Sequence, residues 1–587
     1  MVNKRTSKAS GGRGFAHGTS RRQFLGAAGL GAGAALSGTL WSHRSLAEVL
    51  FPPGTGGFRG SVFAGGGSAA GSVHRAEVDL FDCEVEGKLP PDLDGAFYRV
   101  GPDAQYPKDP KYNGDIYFDG EGHASVFRIS NGHVDYRSRY VRNERWRAQH
   151  QARRSLFGMY RNPLTDDPSV RGLSRGTANT QLFLHHQRLL VLKEDSPPAV
   201  LDPHTLETLD DYYTFGGRLK SLTHTAHPKI DPVSGELVAF GYQATGVASN
   251  DVYVYSADRN GAINWEAWIK VPYSGLLHDF AVTQKHVVFF MVPLVTHMDK
   301  IHALGLHYVW DGTLPSYVGV LRRGGDGSDV RWFQAPQLFC DHTMGSWCDG
   351  DKVYVDMDGQ EGNRYPFFPS LQGPTPPAQG HIHRFTIDLR SRSPACEHAM
   401  LFPEAAGGLA RQDDRYHTVP YRYGFLNGFG VDGSHWIMVD HMTGTTKNFA
   451  LPGYSLSEMC FVPRRKGAPE GDGYLVGVGD SSKENGRSDM VLFDTQDPSS
   501  PVARVKMPFK VVTQIHGFWA SADQLPPQTP DGDAILTSIP RVVLAGAGSP
   551  VSLAKEKFPA SWKRPAYNMQ SGEIVGPFAC GAATHRV

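Results

Sequence analysis

Short apolar runs broken by Gly, Asp, Asn and Pro recur along the chain from about residue 73. They read HVDYRSRYV at 133–141, QLFLHHQRLLVLKE at 181–194, GELVAFGYQ at 235–243, DVYVYSAD at 251–258, HVVFFMV at 286–292, KVYVDMD at 352–358, HWIMVDHM at 435–442, GYLVGVGD at 473–480 and DMVLFDT at 489–495. Runs of this length bounded by turn residues predict β-strands joined by tight turns. So many of them predict an all-β closed architecture, a propeller or a large barrel. No repeat of about 40 to 50 residues is visible, so the number of blades is not readable from the chain. Helical periodicity is scarce. The best stretch, Arg145 to Met159, has an Arg-rich polar face and predicts a helical insertion over one end of the β body. Val287 to Val295 (VVFFMVPLV) is too short to span a bilayer and predicts a buried strand.

Composition agrees with that reading. The 587 residues include 67 Gly and 40 Pro, against a usual joint share of about 12%, which suits a turn-rich β protein. Basic and acidic residues balance at 59 each, so the chain lacks the basic excess of a nucleic-acid binder working by counterion release. Six Cys in a chain of this size are no disulfide framework, because the core is large enough without staples. The 25 His are the compositional oddity.

The N-terminus has the character of an export signal. Ser20-Arg21-Arg22-Gln23-Phe24-Leu25 forms a twin-arginine pattern, an uncharged Gly/Ala-rich stretch runs from Phe24 to Trp41, and Ser45-Leu46-Ala47 offers a small-residue cleavage site. Residues 1–47 are therefore expected to be a twin-arginine signal peptide, 48–72 a Gly/Ser/Pro-rich linker, and 73–587 a single domain delivered to the periplasm or beyond. The twin-arginine translocase would be a partner during export. That route carries folded proteins, often with a metal or cofactor already loaded. No stable membrane span is expected.

Two tempting motifs carry little. Gly428, Gly430 and Gly433 make a G-x-G-x-x-G, but a strand follows where a dinucleotide site needs a helix, so they read as turn glycines. Cys340 and Cys348 flank His342 and read as small buried hydrophobes. Four histidines are more telling. His227 stands in His-Thr-Ala-His-Pro-Lys-Ile-Asp-Pro, His278 in Leu-His-Asp-Phe, His342 in Phe-Cys-Asp-His, and His516 in Gln-Ile-His-Gly-Phe. Each closes an apolar run, where side chains of different strands can converge on one point.

These contexts resemble the carotenoid cleavage oxygenase family. The opening segment Leu89-Pro90-Pro91-Asp92-Leu93-Asp94-Gly95 through Arg99-Val100-Gly101-Pro102, then Tyr117-Phe118-Asp119-Gly120-Glu121-Gly122, is similar to the family's opening signature. The resemblance implies a seven-bladed β-propeller with His227, His278, His342 and His516 around one ferrous iron per chain, and a helical and loop cap over the metal-bearing face. Four neutral imidazoles would leave iron two open positions, as dioxygen activation beside an alkene requires, whereas a four-His zinc site would be closed. Metal-bound imidazoles also need their outer nitrogen held. In the family three Glu do this. Glu194 and Glu458 fall on matching motifs. The third departs from the pattern, and Glu404, in Leu401-Phe402-Pro403-Glu404, is the candidate.

Within the family, Tyr160-Arg161-Asn162-Pro163, Asp166-Asp167-Pro168-Ser169-Val170, Thr177-Ala178-Asn179-Thr180 and Leu192-Lys193-Glu194-Asp195 resemble the lignostilbene and stilbene dioxygenase branch. By that resemblance Tyr160 and Lys193 bind the phenolic hydroxyl of the substrate, the Thr180 methyl crowds one open metal position, and Phe118 lines an aromatic pocket. The expected activity is cleavage of the central C=C of a 4-hydroxystilbene-type phenolic into two aromatic aldehydes with O2. Apocarotenoid cleavage, with an isoprenoid substrate, is the alternative within the family. A periplasmic propeller that only binds phenolics or glycans is the alternative of another class.

Overall fold

The computed structural model describes residues 74–527 except 113–115, 366, 376–377, 431–432 and 484–485, together with the strand pair Ala566–Tyr567 and Ile574–Val575. The proposed signal peptide and linker lie outside the described residues. Seven antiparallel sheets of four to six strands form the seven blades of a β-propeller. Blade 2 runs through Gln181–His185, Arg188–Leu192, Ala199–Leu201 and Thr208–Asp210, and blade 3 through Lys229–Ile230, Leu237–Tyr242, Asp251–Ala257 and Ile263–Lys270. Blade 4 comprises Phe280–Val282, His286–Met291, Ser316–Arg322 and Arg331–Ala335. Blade 5 is built of Leu338–Asp349, Lys352–Glu361, His381–Asp388 and Glu397–Leu401, and blade 6 of Gly407–Gln412, Tyr423–Gly430, Gly433–Asp440 and Thr445–Phe449.

Blades 1 and 7 close the ring with strands from both ends of the described chain. In blade 1, Gly95–Pro102 pairs with His516–Ser521, Val100 facing His516. In blade 7, Val85–Gly87 pairs with Ala503–Lys506, Val85 facing Val505. Sealing the ring in two places ties the first and last blades together, so the ring does not depend on side-chain packing alone to stay closed. The strands are apolar enough to be buried on both faces. Leu237–Tyr242 and Gly95–Pro102 are buried at every position, as expected where each sheet is packed between two neighbours.

The expected buried strand at 287–295 is His286–Met291, which ends before Pro293 and is followed by the short Leu294–Val295. The G-x-G-x-x-G is a β-hairpin, with Gly433 at a φ of 120° that only glycine adopts readily. The helix expected over 145–159 is shorter. It spans Glu144–Ala152 (α1), begins on the Asn143 side chain and ends where Arg153 turns left-handed. A second helix, Met298–Leu304 (α2), lies between the paired strands Leu294–Val295 and Val309–Trp310, and the Gly305 carbonyl after it accepts from the Asn162 side-chain amide. Among the described residues no helix is long and apolar enough to cross a membrane.

Candidate metal centre

In blades 2 to 6 the first strand in sequence is one edge of the sheet, and the four histidines sit at or just before such edge strands. His227 precedes Lys229–Ile230, His278 precedes Phe280–Val282, His342 lies in Leu338–Asp349, and His516 opens the edge strand of blade 1. Their convergence identifies these edges as the propeller axis. One ligand atom from each imidazole lies within 4.8 Å of all the others. The Nε2 atoms of His227 and His278 are 3.0 Å apart, and those of His278 and His342 are 3.1 Å apart.

Those distances carry chemical information. Glu194 accepts a hydrogen bond from Nδ1 of His278, and Glu458 accepts one from Nδ1 of His516 at 3.0 Å. A carboxylate can only accept, so these Nδ1 atoms carry the proton and the inward Nε2 atoms of neutral rings present lone pairs. Ring nitrogens this close share either a proton or a positive ion between them. Two ligands at about 2.1 Å from a metal and at right angles to one another are separated by about 3.0 Å. The group thus has the geometry of a four-imidazole metal site, and His227, His278, His342 and His516 are the residues that would hold the ion.

The rings differ in their electrostatics: at His278 burial is outweighed by the charge and hydrogen bond of Glu194, which leave its pKa above the ordinary value. Burial, then the other three imidazoles, hold the pKa of His227 well below its ordinary value, so it stays unprotonated and able to ligate. Burial also lowers that of His516 against the opposing pull of Glu458. Burial would raise the pKa of Glu194, but His278 and Arg161 outweigh it and draw the carboxyl down to about 2. The second oxygen of Glu194 accepts from the Tyr242 hydroxyl at 2.8 Å, and Arg161 donates to the hydroxyls of Tyr242 and Tyr308 at 2.7 Å each. Arg161 itself holds a φ of 51°, a backbone cost sustained by these buried contacts. Glu458 accepts from the Gly517 amide at 2.8 Å through its other oxygen.

The expectation for the third carboxylate is corrected. Glu404 is exposed, ahead of strand Gly407–Gln412. The carboxylate beside His342 is Asp358, fully buried in the adjacent strand of blade 5, with Oδ2 3.5 Å from Nδ1 of His342. Cys340 is buried and Cys348 partly so, and both are free thiols, in line with their reading as apolar fillers.

The proposed phenol anchors do meet. Tyr160 and Lys193 are both buried, and Nζ of Lys193 lies 5.2 Å from the Tyr160 ring centroid. Lys193 and Glu194 are consecutive as the chain leaves strand Arg188–Leu192, and they diverge, Glu194 to His278 and Lys193 to Tyr160. Thr180 is buried nearby in sequence, its hydroxyl donating to Asn179 Oδ1 at 3.0 Å, while the Asn179 amide donates to the carbonyls of Phe118 and Gly120. Phe118 packs edge-on against Tyr365 and Phe367, with ring centroids 6.0 and 5.8 Å away. Phe367 meets Phe368, which in turn lies 6.1 Å from Tyr160. An aromatic wall therefore links Phe118 to Tyr160.

Tyr365, Phe367 and Phe368 escaped sequence reading, as did Asp358. A cluster of aromatics in a loop, where no strand periodicity requires them, is the signal that marks the first three. For Asp358 the signal is the pair Asp356 and Asp358 inside the apolar run KVYVDMD, since carboxylates on a buried strand must be paired.

A seven-bladed propeller whose axis carries four imidazoles, three of them with a carboxylate at the outer nitrogen, is the scaffold of a class of oxygenases that cleave carbon–carbon double bonds. Residues 72–521 match the family described as retinal pigment epithelial membrane protein, RPE65, and the chain belongs to that family, the carotenoid cleavage oxygenases. It is 39% identical over 477 residues to lignostilbene-α,β-dioxygenase isozyme III of Sphingomonas paucimobilis, covering 77% of this chain and 96% of that protein. It is 40% identical over 465 residues to isoeugenol monooxygenase of Pseudomonas nitroreducens, covering 76% and 95%. The crystal structure of Pseudomonas brassicacearum lignostilbene dioxygenase superposes with a TM-score of 0.74 at 37% identity, covering 77% of this chain and 97% of that one.

Proposed function

We propose that this enzyme cleaves the C=C bond of a 4-hydroxystilbene-type phenolic with O2, giving two aromatic aldehydes, and that it holds one Fe(II) on His227, His278, His342 and His516. The observation that carries the reading is the meeting of Lys193 with Tyr160 one residue from Glu194, the carboxylate that holds His278. A phenol bound at one end of the pocket is thereby tied to the same chain segment that orients a metal ligand. Lignostilbene and isoeugenol, which name the substrates of the two relatives, are both compounds with a 4-hydroxyphenyl ring conjugated to an alkene.

The metal supplies the activation of dioxygen. The chain's own residues do the rest. Lys193 and Tyr160 bind the 4-hydroxyl, and the ammonium favours its ionised form because an opposite charge nearby stabilises a phenolate. The negative charge delocalises through the ring onto the alkene, which makes the double bond electron-rich. The rings of Phe118, Phe367 and Phe368 hold the flat substrate and exclude water, and the Thr180 methyl narrows the approach. Both oxygen atoms of O2 end in the products, one in each aldehyde, so the balance needs no reductant.

The twin-arginine pattern supports export of the folded enzyme to the periplasm or beyond. Presenting 4-hydroxystilbene and an apocarotenal side by side to the iron-loaded protein tests the substrate reading. Aldehyde release from the stilbene alone is expected. Equal or faster cleavage of the apocarotenal would overturn it, and iron-loaded protein that binds the stilbene without releasing aldehyde would make the chain a binding module.

A further inference from the structure

His342 lies at an irregularity of its strand. Residues of Leu338–Asp349 pair regularly with Lys352–Glu361 up to Cys340 opposite Gly359, and again from Thr343 opposite Met357, with Asp341 and His342 bulged between them against Asp358. A bulge re-aims a side chain at the cost of ladder hydrogen bonds. Here the lost bonds are replaced by one carboxylate oxygen. Oδ1 of Asp358 accepts from the amides of both Asp341, at 3.2 Å, and His342, at 2.8 Å. The other oxygen, Oδ2, faces Nδ1 of His342 at 3.5 Å. Both atoms are buried and neither makes a hydrogen bond elsewhere. Two orphaned buried partners 3.5 Å apart describe a bond that closes with a movement of about half an ångström, to the usual 2.7–3.2 Å.

We propose that Asp358 is the positioning residue of His342, holding the backbone of the bulge with one oxygen and the imidazole with the other. The inference rests on the four-imidazole metal reading. Its neighbourhood is built for a short carboxylate from this strand. The guanidinium of Arg364 bridges Asp358 and Asp341, with Nη1 3.4 Å from Asp358 Oδ1 and Nε 3.2 Å from Asp341 Oδ2. Gly408, on the adjoining strand of blade 6, leaves the space Arg364 occupies. A Cβ there would stand 2.2 Å from Arg364 Nη2 and 3.1 Å from Asp358 Oδ2. Blade 5 thus supplies both the ligand and its support, whereas Glu194 and Glu458 support histidines from blades other than their own.

The test uses Co(II)-substituted full-length protein, whose ligand Nδ1–H protons are shifted far outside the ordinary NMR range and can be counted. Slow exchange with solvent marks those held by a buried carboxylate. Three slowly exchanging signals are expected, from His278, His342 and His516, since among the described residues no group accepts from Nδ1 of His227. Asp358→Asn keeps an oxygen for the two bulge amides but cannot accept from His342. It should remove one signal and weaken Co(II) binding by about 10- to 100-fold while the protein stays folded. Only two slow signals in the wild type, or three signals and unchanged affinity in Asp358→Asn, would overturn the proposal. Should the variant fail to fold, the wild-type count alone decides. A wild type that binds no Co(II) would end the metal reading as well, an outcome distinct from a metal-loaded protein with two signals.

Discussion

Nζ of Lys193 stands 5.2 Å from the centroid of the Tyr160 ring, and both side chains are buried. A buried ammonium beside a tyrosine ring suits a phenolate that arrives with the substrate, because an opposite charge stabilises the ionised form. Lys193→Met and Tyr160→Phe should leave iron content intact and slow cleavage of a 4-hydroxystilbene by one to three orders of magnitude, about 1.4 kcal/mol of barrier per tenfold. Methylating the substrate's 4-hydroxyl should cost the wild type about as much. Combining it with either substitution should add little, because all three changes remove one interaction. Additive losses in steady-state kinetics would dissociate these residues from the phenol.

The same lysine sets a pH dependence. Burial lowers the pKa of Lys193 below the ordinary lysine value, with Asp195 and Glu194 opposing. A group with a lowered pKa keeps its proton only below that value and loses it as pH rises, so the ammonium disappears earlier on the alkaline side than for a surface lysine. kcat/KM for the free phenol is expected to fall along an alkaline limb that Lys193→Arg, whose side chain does not deprotonate in this range, removes. An identical limb in the Arg variant would assign it to the substrate or to another group.

The histidines were legible because a ligand on a propeller axis must stand at the end of an apolar strand, and those ends carry recognisable turn residues. Glu194 and Glu458 were legible only through the family motifs they fall on. Asp358 was not. Its meeting with His342 depends on a bulge that slips the register between Cys340 and Thr343, and on a glycine in another blade. The blade count was hidden because edge strands range from the two residues of Lys229–Ile230 to the twelve of Leu338–Asp349. Two blades also borrow strands from distant parts of the chain. The helix expected to Met159 was overextended because its Arg-rich periodicity continues past Arg153, where the backbone turns left-handed.

Removing a ligand and removing its support should be separable. His278→Ala is expected to abolish both iron binding and turnover. Glu194→Gln should keep the fold and lower iron affinity by about 10- to 100-fold, so that activity returns at high added Fe(II). Iron titration with metal analysis distinguishes the two. Full occupancy of His278→Ala would exclude the axial site as the metal's home.

Export should depend on the paired arginines. Replacing Arg21 and Arg22 by Lys is expected to leave folded, uncleaved enzyme in the cytoplasm, because the translocase reads the guanidinium pair. Fractionation of the native protein with residue 1 retained in the cytoplasm would refute the localisation.

The aromatic wall makes a separate prediction about binding. Phe367 touches Phe118, Tyr365 and Phe368, and Phe368 continues to Tyr160, so its ring is central to the face that runs from Phe118 to Tyr160. A stilbene is flat and gains from offset or edge-on contact along its length, worth about 0.5–1.5 kcal/mol per ring pair beyond the area buried. Truncation at this position removes contacts made equally in the ground and transition states, which raises KM and leaves kcat nearly unchanged. Phe367→Ala is therefore expected to raise KM for a hydroxystilbene by about tenfold, with Phe367→Tyr close to wild type. A fall in kcat at constant KM would instead place Phe367 among the groups that act on the reacting double bond.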